Sequence, residues 1–62
     1  MNYIIVKYVK LNGNEVPVII IDELNEVLTF THLNDAETYK DMFQNNSDSG
    51  HRYEVKSLTD KI

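Results

Sequence analysis

The chain contains no cysteine, which excludes disulfides and thiolate metal centres. Its two histidines, His32 and His51, cannot alone complete a closed four-ligand zinc site. Apolar runs are short. The longest, residues 16–21, is interrupted by Pro17 and falls far below the ~20 residues that span a bilayer. The opening stretch MNYIIVKYVK is broken by Lys7 and has no long apolar core of the signal-peptide kind. The expectation is a soluble, cytoplasmic protein without membrane contact. The sequon Asn45-Asn46-Ser47 then has no glycosylation to direct.

Basic residues are scarce: six against ten acids, a net charge of −4. Affinity for a phosphate backbone comes from cations, so general nucleic-acid binding is disfavoured. The charge is also unevenly spread. Residues 15–48 hold eight acids and one base, Lys40, whereas Lys7, Lys10, Arg52, Lys56 and Lys61 lie outside that span.

At 62 residues the chain is a single domain, 1–62. A domain this short buries only ~60% of the surface its unfolded chain exposes, and needs help from a cross-link, a metal or a partner. With no cysteine, oligomerisation or a partner is the help expected.

Residues 3–10 are rich in Ile, Val and Tyr and read as a strand. Asn12-Gly13 is a strong hairpin signal, because both central residues of the turn need positive φ. Residues 15–21 form the return strand. Pro17 has no N–H to give a ladder, which suits a bulge or an outward position on an edge strand. DELNE, residues 22–26, is a polar turn, and residues 27–30 a third short strand.

The period then changes. Leu33, Ala36, Tyr39 or Lys40, and Phe43 recur every three to four residues, the spacing of an amphipathic helix. Asn34 is the N-cap candidate, with Glu37 three residues on as in a capping box and Leu33 as a staple. The helix is expected to fade at Asn45 or Asn46. Residues 52–58 resume a strand rhythm, and residues 59–62 form a short tail.

The expected fold is therefore α+β, in the order β-β-β-α-β, with one four-stranded sheet and one helix on one face. The three leading strands suggest a meander. A last strand parallel to the first would give the spatial order 3-2-1-4.

The stretch NNSDSGHRYEV, residues 45–55, carries Ser47, Asp48, Ser49 and His51. A hydrolytic triad needs its groups to converge from different parts of a fold. Ser49 and His51 flank one glycine, and no nucleophile elbow surrounds the serine. An EF-hand alignment with Gly50 at loop position six puts Lys56 where a bidentate Glu is required. Turn chemistry accounts for each residue. Asp22, Glu23 and Glu26 are close in sequence, but a surface turn of carboxylates is ordinarily solvated. No catalytic, metal or cofactor site is expected, and the chain does not read as an enzyme.

Two binding surfaces follow from the pattern. Both faces of the first two strands are apolar: Ile4, Val6 and Tyr8 oppose Tyr3, Ile5 and Val9, and Ile19 and Ile21 oppose Val16, Val18 and Ile20. One helix covers one face, so the other is left as an apolar patch of the kind that marks an interface. Ile4, Val6, Tyr8, Ile19 and Ile21 are its candidates, for a homodimer or a foreign protein partner. The alternative is a single-stranded nucleic-acid strip of Tyr3, Lys7, Lys10, Arg52, Tyr53 and Lys56, pairing aromatic stacking with cations.

Residues 27–58 also resemble a class of small uncharacterised β-β-β-α-β proteins of large tailed bacteriophages, cyanophages especially. The likeness lies in the strand ending at Phe30, Asp35-Ala36-Glu37 at the helix start, Met42-Phe43, and the NSDSG-x-x-Y-x-V segment ending at Val55. It implies an accessory or host-directed phage protein acting in the host cytoplasm. It brings no catalytic residues.

Overall fold

The computed structural model describes residues 2–46 and 50–58. Ser47, Asp48 and Ser49 lie outside the described residues, as does the tail, 59–62. The fold is α+β, a four-stranded antiparallel sheet with one helix. Strand β1 (Asn2–Leu11) turns at Asn12-Gly13 into β2 (Asn14–Ile19). Both turn residues have positive φ, 54° and 86°, as the Asn-Gly signal requires.

The strand order differs from a 3-2-1-4 meander. β3 is only Thr29–Phe30, and it pairs with β1, not β2, through Tyr3↔Phe30 and Ile4↔Thr29. β2 and β3 thus follow one another along the same edge of β1. Between them, residues 20–28 make a small hairpin that leaves the sheet and returns. Leu28 N–H donates to the Ile20 carbonyl at 3.1 Å, and Ile21 bridges Val27. Asp22 closes its tip: Oδ1 accepts the amides of Leu24 at 2.8 Å and Glu26 at 3.1 Å. Asn25 takes the left-handed conformation, φ 63°.

Pro17 explains why β3 cannot lie outside β2. Ile20 N–H donates to the Ile5 carbonyl at 3.0 Å, so alternation along β2 turns the Pro17 nitrogen away from β1. A strand on that side would meet a missing donor and a proline ring. β2 is therefore an edge.

The last strand, β4 (Arg52–Leu58), pairs with β1 antiparallel, from Asn2↔Leu58 to Tyr8↔Arg52. A parallel pairing would have followed from a meander, with β3 running as β1 does. β3 instead runs against β1, the helix α1 (Leu33–Asn45) carries the chain back, and β4 repeats the direction of β3.

The helix cap lies two residues before the expected one. His32 is the N-cap, its carbonyl accepting the Ala36 amide at 3.2 Å, and no side chain caps the end. Asn34 lies inside the first turn, where its carbonyl accepts the Thr38 hydroxyl at 2.9 Å. The like charges Glu37 and Asp41 are bridged by Lys40, 3.6 and 3.0 Å away. Helix and sheet meet through Ala36 and Ile5, both fully buried, and an aromatic row: Phe30, Tyr39, Phe43 and Tyr53, with centroids 5.1, 6.4 and 6.0 Å apart. The helix packs on β1, β3 and β4 and does not reach β2.

Candidate interaction surface

Register assigns each side chain to a face, because cross-strand partners share one. Tyr3, Ile5, Lys7 and Val9 lie on the helix side with Val55, Tyr53, Val18 and Val16. Ile4, Val6 and Tyr8 lie on the opposite side with Lys56, Glu54, Arg52 and Ile19. The first group of candidates is therefore assembled much as the alternation implies. Ile4, Val6, Tyr8 and Ile19 share the face away from the helix, and Ile21 follows directly in the hairpin that leaves β2.

Accessibility divides that group. Ile4 and Val6 are 7% and 4% exposed, whereas Ile19 and Ile21 are 46% and 52% exposed. The cause is position. β1 is the central strand, so Ile4 lies between Lys56 and Thr29, and Val6 between Glu54 and Ile19. β2 is an edge and its side chains have a neighbour on one flank only. Six of the eleven exposed large hydrophobics among the described residues therefore lie on β2 and the hairpin after it: Val16, Val18, Ile19, Ile21, Val27 and Leu24, the last 77% exposed at the tip, while Leu11, Leu33, Tyr39, Met42 and Leu58 are scattered elsewhere. The valines are open on the helix side because the helix stops short of β2.

The second group is not brought together. Tyr3, Lys7 and Tyr53 are on the helix side, where Tyr53 packs against Phe43 and Lys7 Nζ lies 6.0 Å from its ring centroid. Lys10, Arg52 and Lys56 are on the other side. Alternation causes this separation: Lys10 differs in parity from Tyr3 and Lys7 along β1, as Arg52 and Lys56 differ from Tyr53 along β4.

The bases on the open face are also engaged with acids. Arg52 Nη2 meets Glu15 Oε1 at 3.0 Å, and the guanidinium lies 4.0 Å over the Tyr8 ring. Lys56 Nζ is 3.5 Å from Glu54. Tyr8 OH donates to Glu54 Oε1 at 2.7 Å. That hydrogen bond, then the Lys56 charge, holds the Glu54 carboxyl below its ordinary range, and the Glu54 charge raises Lys56 in turn. Tyr8 is thus half-buried and committed on both its ring and its hydroxyl. The Arg52–Glu15 and Tyr8–Glu54 pairings have no sequence signal, because their partners are 37 and 46 residues apart and meet only through the register.

A second side chain without a sequence signal is Gln44. Its Nε2 donates to the His51 carbonyl at 2.7 Å and its Oε1 accepts the Tyr53 amide at 3.0 Å. The carboxamide covers the outer edge of β4 where that strand begins.

Among the described residues, no three His, Asp or Glu side chains converge as metal ligands. Nor is any helix long and apolar enough to cross a membrane. The one acidic turn commits Asp22 to its own backbone amides. Scanned against protein-family models, curated proteins and solved structures, the chain matched none of them.

Proposed function

We propose that this is a non-enzymatic protein-binding module that associates, first with a second copy of itself, through the apolar surface around β2 and its following hairpin. One observation carries the reading: more than half of the exposed large apolar side chains among the described residues lie along one edge. Among the described residues only Ile4, Ile5, Val6 and Ala36 are buried hydrophobics, while six of the eleven exposed large ones lie on β2 and its hairpin: Val16 and Val18 on the helix side, and Ile19, Ile21, Leu24 and Val27 beyond them. A core that small leaves a short chain marginal, and closing this surface supplies the missing burial. Each exposed Ile or Leu covered contributes roughly 1 kcal/mol or more at ~25 cal/mol per Å².

Pro17 defines how the contact forms. With no outward donor at the middle of β2, edge-to-edge ladder pairing is blocked, and the contact is made by side chains. Ile19 and Ile21 are its centre, Val6 lies covered beside them, and Tyr8 forms the rim. The likeness to small tailed-phage proteins supports an accessory role in the host cytoplasm, with a host protein as the further partner.

Light scattering on a sizing column, across dilution, tests this. The wild type should have twice the mass of one chain, and Ile19→Glu with Ile21→Glu should halve it, keeping the shape of the circular dichroism spectrum but lowering the urea midpoint by the burial lost. Both positions are exposed in the single chain, so the charge should not disturb the fold. A single-chain mass for the wild type at every concentration would overturn self-association.

A further inference from the structure

The sheet has a step at one end. β4 begins at Arg52, opposite Tyr8, while β1 runs on to Leu11. Lys10 therefore lies beyond the last rung of the β1–β4 ladder. The chain enters β4 through Gly50, φ 74°, and His51. Between these parts is a cleft of about 290 Å³ lined by Tyr8, Lys10, Glu15, Gly50, His51 and Arg52. It lies at the opposite end of β2 from Ile19 and Ile21.

Its chemistry runs against that of the whole molecule. In a chain of net charge −4, the described residues lining the cleft include Lys10, Arg52 and His51 and one carboxylate, Glu15. Arg52 is held in place. Its guanidinium is stacked 4.0 Å over Tyr8, and one nitrogen, Nη2, contacts Glu15. A guanidinium has five N–H donors in a planar fork, and among the described residues one carboxylate oxygen accepts from only one of its nitrogens. Such a fork, fixed on an aromatic ring beside a second cation, suits a tetrahedral or planar oxyanion.

Glu15 decides which oxyanion. It is tethered to the site, so its effective concentration there is far above that of a free monocarboxylate. A free ligand displaces it only by carrying more charge and more acceptor oxygens. A phosphate group near neutral pH has close to two charges and three terminal acceptors. We infer that this cleft binds a small phosphate-bearing ligand, inorganic phosphate or a phosphomonoester, between Arg52, Lys10 and His51, with Glu15 as the internal counter-ion it displaces.

The experiment is an amide-resolved NMR titration of the full chain with four probes: inorganic phosphate, phenyl phosphate, acetate, and a short oligothymidylate. Saturable shifts at Lys10, His51 and Arg52 are expected with the first two probes and not with acetate. Tighter binding of phenyl phosphate would identify the ester as the ligand class, and equal binding the bare phosphate. Glu15→Gln removes the competitor and should tighten phosphate about threefold or more. Lys10→Gln should weaken it about tenfold, the factor for one lost charge-assisted hydrogen bond. Lys10 is exposed at a strand end, so this variant tests the site even where Arg52→Gln perturbs the Tyr8 stack. The inference fails if no probe saturates, if acetate matches phosphate, if the oligonucleotide binds more tightly than phosphate, or if Glu15→Gln and Lys10→Gln leave affinity unchanged.

Discussion

The carboxamide of Gln44 pairs with the backbone of β4 as another strand would, accepting the Tyr53 amide at 3.0 Å and donating to the His51 carbonyl at 2.7 Å. The last turn of the helix thereby closes part of a strand edge that would otherwise template aggregation. Gln44→Ala should cost about 1 kcal/mol for the exposed hydrogen bonds lost. Amide exchange should accelerate at Tyr53 more than at Val55. Equal acceleration along the whole strand would mean that Gln44 acts on global stability alone.

Tyr8 and Glu54 make a pH-dependent contact. The Glu54 carboxyl is held below its ordinary range by the Tyr8 hydroxyl and then by Lys56. A folded-state pKa that is depressed stabilises the fold above the unfolded-state value, and that contribution is lost as pH falls through the folded-state value. Tyr8→Phe should raise the Glu54 titration midpoint toward the ordinary carboxylate range, read by side-chain carboxyl NMR. It should also flatten the acid limb of the stability curve. A midpoint unmoved by the substitution would show that Lys56 alone sets it.

The core is small enough for one residue to decide folding. Ile5 is fully buried where the helix crosses β1. Ile5→Ala should cost about 2–5 kcal/mol, enough to unfold a domain of this size at room temperature. Urea titration followed by circular dichroism measures it. Val6→Glu should fail in the same way, since Val6 is 4% exposed and a charge there would be buried. Ile19→Glu on the neighbouring strand should leave the urea midpoint of the single chain nearly unchanged.

Gly13 is required by its turn, not by space. A Cβ added there meets nothing within 4 Å, but φ is 86°. Gly13→Ala should therefore destabilise the hairpin by about 1 kcal/mol through backbone strain. Asn12→Ala, at φ 54°, should act in the same direction. Thermal unfolding of both variants tests this, and an unchanged Tm in Gly13→Ala would contradict the turn geometry.

Local physics was legible in the residues. Asn12-Gly13 specifies a turn because few residues accept positive φ twice in succession. The period change after Phe30 marks the helix, and the two-sided alternation of residues 3–9 and 16–21, joined by a two-residue turn, places Ile4, Val6, Tyr8 and Ile19 on one face. The helix start was less legible, because the acids after Asn34 resemble a capping box whichever residue is the cap.

What the chain by itself determined is the set of elements, their lengths to within a few residues, and which side chains share a face, since all of these follow from period and turn chemistry within short windows. Tertiary structure alone decided the strand order and the burial. The return of residues 20–28 to β1, past the edge blocked by Pro17, set β3 against β1 and made β4 antiparallel. That direction brought Arg52 onto Tyr8 and Glu15, whereas parity alone had already split Tyr3 and Lys7 from Lys10, and Tyr53 from Arg52 and Lys56. The physical reason is common to all of these: a face depends on parity along one strand, whereas a neighbour depends on which distant strand is docked beside it and in which direction.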